Sequence, residues 1–126
     1  MRDYIVKSID ELEAIHHGAV KLAGAELGIR SFGLQVLDLP AGFSDYPEHN
    51  HSDDSQEEVY LVLHGTAEFH IDGERTAVGT GQLVRIGPAA TRKLVPGSDG
   101  ARILAIGCTA DRPYQRPEHF RIEVQA

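Results

Sequence analysis

Tryptophan is absent from the 126-residue chain, methionine and cysteine occur once each, and aromatic residues make up only 6%. With Cys108 alone, no internal disulfide can form, which fits a reducing compartment. The longest unbroken apolar run is Val59-Tyr60-Leu61-Val62-Leu63, far short of the roughly 20 residues a spanning helix needs. Basic blocks are missing too: 12 Lys and Arg stand against 19 Asp and Glu, a formal charge of −7. Affinity for nucleic acid depends on neutralising phosphates, so that class of partner is excluded. The opening stretch MRDYIVKSIDELEA is charged throughout and offers no signal-peptide core. These absences point to a soluble, acidic, cytoplasmic protein that meets neither nucleic acid nor membrane.

What is present is punctuation. Thirteen Gly and six Pro separate short apolar stretches, the pattern of many strands rather than long helices. One helix is expected near the start, where Ser8 and Glu11 read as a capping box and Ile9, Leu12 and Ile15 form a stripe ending at Gly18. The remainder reads as strands at Ala19–Leu22 (weak), Phe32–Leu39, Glu58–Leu63, Ala67–Ile71, Thr76–Val78, Leu83–Ile86, Lys93–Val95 and Arg102–Ile106. Asp72-Gly73 supplies a tight hairpin turn, because both residues tolerate positive φ. Strands at this regular spacing predict an all-β sandwich or barrel. No linker or repeat interrupts it, so a single domain over 1–126 is expected: helix and first strand in 1–31, barrel core in 32–108, an irregular tail in 109–126.

Four of the seven histidines fall between residues 49 and 70. Residues two apart on a strand face one side, so His49 and His51 can aim both imidazoles into one space. Glu58 opens the next strand, and pairing of the two strands would bring its carboxylate near. Two imidazoles and a carboxylate suit Fe(II), Mn(II), Ni(II) or Zn(II), with positions left for water or substrate.

The segment Gly42-FSDYPE-His49-Asn50-His51-SDDSQE-Glu58-VYLVLH-Gly65 resembles the first motif of the cupin superfamily, G-x5-H-x-H-x3–4-E-x6-G. The run from Gly81 to Arg92 resembles the second, G-x5-P-x-G-x2-H-x3-N, in degraded form. Together with the strand and hairpin between them, the similarity covers roughly residues 32–108. It implies a small single-domain cupin: an antiparallel jelly-roll barrel, often dimeric, with ligands bound inside. His49, His51 and Glu58 match that family's first three metal ligands. The loop before Glu58 is longer than the motif allows, so Gln56 or Glu57 are alternative occupants; Glu58 keeps the six-residue step to Gly65. Arg92 stands where the fourth ligand, a histidine, belongs, while Ala89 and Pro96 replace the motif's Gly and Asn.

Guanidinium has no lone pair and stays protonated, so Arg92 is no substitute ligand, and its charge opposes a nearby cation. On one reading three protein ligands hold the metal and Arg92 binds an anionic group of a small oxygen-rich acid or β-dicarbonyl substrate. Gln56 and Tyr60 then serve as polar auxiliaries in enolisation, decarboxylation or O₂ chemistry. On the other, Arg92 pairs with Glu58 and the barrel is a metal-free binding, sensing or dimeric structural module.

Other residues read as ordinary. His64 belongs to the surface, His70 faces away from the site, and His16 and His17 sit at a solvated helix end. Cys108 reads as a small buried hydrophobe. Arg85, Arg92, Lys93 and Arg102 read as exposed charge, with a modest basic face as the alternative. Small barrels leave sheet edges to cover, so a homodimer built by edge pairing or strand swapping is expected.

Overall fold

A computed structural model describes residues 2–122. Its strands are β1 (Ala14–Ile15), β2 (Val20–Lys21), β3 (Gly33–Leu39), β4 (Gln56–Ile71), β5 (Glu74–Gly79), β6 (Leu83–Ile86) and β7 (Arg92–Thr109). They form one antiparallel sheet in the order β1-β2-β3-β7-β4-β5, with β6 also paired to β4. The all-β architecture is the one the turn spacing predicted, and its jelly-roll form is the one the resemblance implied. No helix among the described residues is long and apolar enough to cross a membrane.

β4 and β7 are the two ribs of the fold, sixteen and eighteen residues long. Each absorbs two of the strands read separately from the sequence, because bulges near Val62/His64 and Gly65/Ala67 carry the ladder through the bend. Gly65 makes that bend possible. Its φ is +81°, and a Cβ there would lie 2.1 Å from the Gly100 carbonyl oxygen. Inside the bend, Phe69, Leu94 and Ile103 have no solvent exposure. Removing each such side chain from water stabilises the fold by roughly 1.5–3 kcal/mol. The Asp72-Gly73 turn joins β4 to β5 with positive φ at both positions, as expected.

The N-terminal helix contracts to a single 3-10 turn, Ile9–Glu11, where the Ser8 N–H donates to the Glu11 carboxylate at 2.9 Å. Leu12 is already extended, and Ala14–Ile15 pairs with Val20–Lys21 through a turn in which His16, His17 and Gly18 all have positive φ. Sheet pairing onto β3 thus overrides a helical stripe of only a few residues. The one α-helix among the described residues is α1 (Ala23–Leu27), capped by Gly28 at φ 69°. No basic face exists among the named arginines: Arg85 pairs with Glu57, Arg102 with Asp38 and Asp10, and Arg92 is buried. Cys108 is exposed, not buried, because it sits on the outer side of β7 beside the inward Gly107.

Candidate metal centre

Glu58 lies near the start of β4, where period-two alternation turns Gln56, Tyr60 and Val62 inward and Glu57 outward. Glu57 is engaged on the outer surface with Arg85. The six-residue gap before Glu58 is taken up by a turn: Ser55, at φ 59°, donates its N–H to the His51 carbonyl at 2.7 Å.

His49 and His51 do not lie on a regular strand, contrary to the alternation argument. They are held instead by the connection that follows β6. The His49 and Arg92 backbones exchange hydrogen bonds of 3.0 and 2.8 Å, and the His51 N–H donates to the Pro88 carbonyl at 2.9 Å. The degraded second motif contributes no ligand side chain, yet its backbone positions the first motif.

Both imidazoles have a defined tautomer. Nδ1 of His49 donates to the Pro47 carbonyl at 3.0 Å, and Nδ1 of His51 donates to the Asp54 carboxylate at 3.1 Å. Each therefore presents Nε2 to Glu58 Oε1, at 4.0 Å from His49 and 3.1 Å from His51. Nε2 of His51 is buried and has no hydrogen-bond partner of acceptable geometry. One ligand atom from each of the three residues lies within 4.8 Å of the others. Ligand atoms bind first-row ions at about 2.0–2.2 Å, so two on one ion stand roughly 3–4 Å apart. The donor set fits such an ion.

The surroundings polarise these groups in opposite directions. Burial pulls His49 below the ordinary histidine value, which keeps its ring neutral. His51 is raised, chiefly by its contact with Glu58, against the opposing effect of burial. Burial pushes the Glu58 carboxyl up, but His51, the Tyr60 hydroxyl at 2.8 Å and Arg92 together hold it below the usual carboxylate range. Tyr60 and Tyr46 are buried and their phenols are pushed up, so both stay protonated.

Residues 35–107 match the Cupin domain family. The chain belongs to the cupin family. No curated protein matches it in sequence. Among solved structures, a cupin protein from Bacteroides fragilis is 25% identical over 100% of both chains, with a TM-score of 0.69. A sugar phosphate isomerase of the cupin superfamily from Silicibacter pomeroyi is 18% identical over 82% of this chain and 74% of its own, with a TM-score of 0.65. A putative sugar phosphate isomerase from Acidithiobacillus ferrooxidans is 22% identical over 75% of this chain, TM-score 0.59, and this chain spans 60% of its length.

The metal candidates of this cupin open onto a cavity of about 460 Å³ inside the barrel, within the usual range for small-molecule sites. Gln56 and Tyr60, read as polar auxiliaries, border it. Arg92 does not. Its guanidinium has no solvent exposure, donates from Nη2 to the Gly87 carbonyl at 3.0 Å, and sets Nη1 3.4 Å from Glu58 Oε1. Arg92 thus faces Glu58 from outside the cavity, and its buried Nε and Nη1 have no hydrogen-bond partner. His16, read as a solvated helix end, and His119 of the irregular tail border the cavity along with Tyr114 and Phe120. Arg116 fastens this tail by donating to the Gly24 carbonyl at 3.0 Å and to that of Ile29. Asp54, which orients His51, was also missed; its position three residues after a candidate ligand was the available signal. His64 is exposed, and His70 is engaged with Glu68 at 2.6 Å.

Proposed function

We propose that this cupin is a metal-dependent enzyme acting on a small anionic organic ligand inside its barrel. His49, His51 and Glu58 hold a divalent ion of the Fe, Mn, Ni or Zn type. The observation that carries the reading is the pair of bare Nε2 atoms, each fixed by its own Nδ1 donor bond, turned toward a carboxylate oxygen. Nothing between them offers a proton unless His51 itself takes one, and a cation satisfies all three. The bound ion would supply Lewis-acid polarisation of a substrate oxygen, the step needed for enolisation, decarboxylation or O₂ chemistry.

The chain's own residues have separable tasks. Asp54 and the Pro47 carbonyl orient the two imidazoles, an arrangement that fixes ring direction and raises ligand basicity. Tyr60 donates to Glu58 and holds the carboxylate in place. Gln56 offers an amide at the cavity wall, partly engaged with Asp54. Arg92 offsets the Glu58 charge from behind, which leaves the ion more electrophilic than a free carboxylate would.

Elemental analysis of protein purified without chelator tests this. About one equivalent of metal in the wild type, lost in His49→Ala, is expected. Unchanged metal content in the variant would overturn the assignment. A chain without metal favours the second reading, a metal-free binding or sensing barrel, which the 3.4 Å Arg92–Glu58 ion pair supports. We further propose a single cytoplasmic domain that works as a homodimer. The exposed apolar Tyr4, Ile5 and Val6 support an N-terminal segment that pairs with a second copy.

A further inference from the structure

The wall of the cavity constrains its ligand more tightly than the metal candidates do. Leu37 and Leu39 on β3, Ala105 on β7, Val20 on β2, Phe43 and the tail's Phe120 give it an apolar lining. No Lys or Arg borders it among the described residues. Its carboxylates are Glu58, Asp54 and Asp45, and Asp54 is occupied by His51 and Gln56. Arg92 lies behind the wall, where it touches Glu58 and donates to the Gly87 carbonyl.

A phosphate dianion taken into such a space would find no Lys or Arg beside the ion, so its second charge and remaining oxygens would lose their hydration against hydrocarbon and carboxylates. The chain's charge of −7 adds long-range repulsion. A monoanionic oxygen chelate meets less of that penalty, since the ion with its one carboxylate ligand matches a single negative charge and no further polar oxygen needs a partner. The rest of the molecule then rests on hydrocarbon.

We infer that the ligand of this cupin is a phosphate-free molecule with one chelating oxygen head and an apolar tail, such as an alkyl- or aryl-substituted 1,3-dicarbonyl or 2-oxo acid. The chelating head rests on the metal reading above. The apolar tail rests on the wall alone. Phe43 and Phe120 are its specificity-determining contacts: both border the cavity and both are half-buried.

The test uses the full chain loaded with Zn(II), with metal content measured first, and calorimetric titration with acetylacetone, benzoylacetone and ribose 5-phosphate. Benzoylacetone is expected to bind at least about tenfold tighter than acetylacetone, because its phenyl group gains the apolar wall. Ribose 5-phosphate is expected to give no saturable binding. Phe120→Ala should narrow the tenfold preference at unchanged metal content, and Phe43→Ala should do the same if Phe120→Ala perturbs the tail. Equal affinities for the two diketones, or tighter binding of ribose 5-phosphate, would overturn the inference while leaving the metal reading intact. If the wild type takes up no Zn(II), the chelating head is overturned together with the metal reading. The wall is then read separately on the metal-free protein with butanoate and 4-phenylbutanoate: a tenfold preference for the phenyl acid supports the apolar tail, and none overturns it.

Discussion

Arg92 Nη1 lies 3.4 Å from Glu58 Oε1, the same oxygen that faces Nε2 of His51 at 3.1 Å and accepts the Tyr60 hydroxyl at 2.8 Å. A fixed positive charge thus shares a carboxylate with the candidate metal site. Such a neighbour lowers cation affinity by repulsion and satisfies Glu58 when no ion is bound. Arg92→Met keeps the volume and removes the charge. Metal affinity, read by chelator competition, is expected to rise at least about tenfold, while the metal-free protein loses thermal stability that added metal restores. A fall in affinity would instead assign Arg92 to holding Glu58 in its ligating pose.

Asp54 accepts from Nδ1 of His51 at 3.1 Å and from the Gln56 backbone N–H at 3.0 Å. It touches no candidate ligand position on the ion and acts only by orienting the ring. Asp54→Ala is expected to weaken metal binding about 10–100-fold, the range for loss of an orienting carboxylate. Asp54→Asn should recover part of that loss, because its amide oxygen still accepts the Nδ1 proton. Identical affinities for wild type and both variants would remove Asp54 from the site.

Metal binding should depend on pH in one direction. In the metal-free protein His51 is raised, mainly through Glu58, whereas burial keeps His49 neutral. An ion must therefore displace the His51 proton below its raised value, and apparent affinity should climb by about tenfold per pH unit up to that value, then level off. The stability consequence has the opposite sign for the metal-free protein. Its His51 contribution is fully present below the unfolded histidine value of about 6.5 and lost as pH rises through the folded one. Thermal unfolding with and without Zn(II) checks both, and the gap in Tm is expected to widen toward alkaline pH. A gap that narrows with rising pH contradicts the assignment of His51.

Legibility differed by the range of the interaction. The β3 segment, the β4–β5 hairpin at Asp72-Gly73 and the inward face of β4 follow from local turn chemistry and alternation, and all were readable. The preference for Glu58 over Glu57 came from the resemblance, through the six-residue step to Gly65, and in the structure parity along β4 turns Glu57 outward. The N-terminal helix was not: a capping box and three apolar residues state a local preference, and the segment gains more as β1 paired with β2, which pairs onto β3. Cavity contacts from His16, Tyr114, His119 and Phe120 had no local signal, since they come from a turn and a tail brought to the barrel by distant anchors such as Arg116.

Taken alone, the amino-acid order pointed to a small antiparallel barrel and to three side chains, His49, His51 and Glu58, that the fold brings close together. Those features depend on spacing within a strand or motif, where backbone geometry is short-ranged and regular. Tertiary structure decided that Arg92 stands behind Glu58 rather than in the cavity. It also decided that the second motif serves through the Pro88 and Arg92 backbone groups and that hydrocarbon faces the ligand. Each of these depends on contacts between residues far apart in sequence, whose directions are set only when the sheet closes.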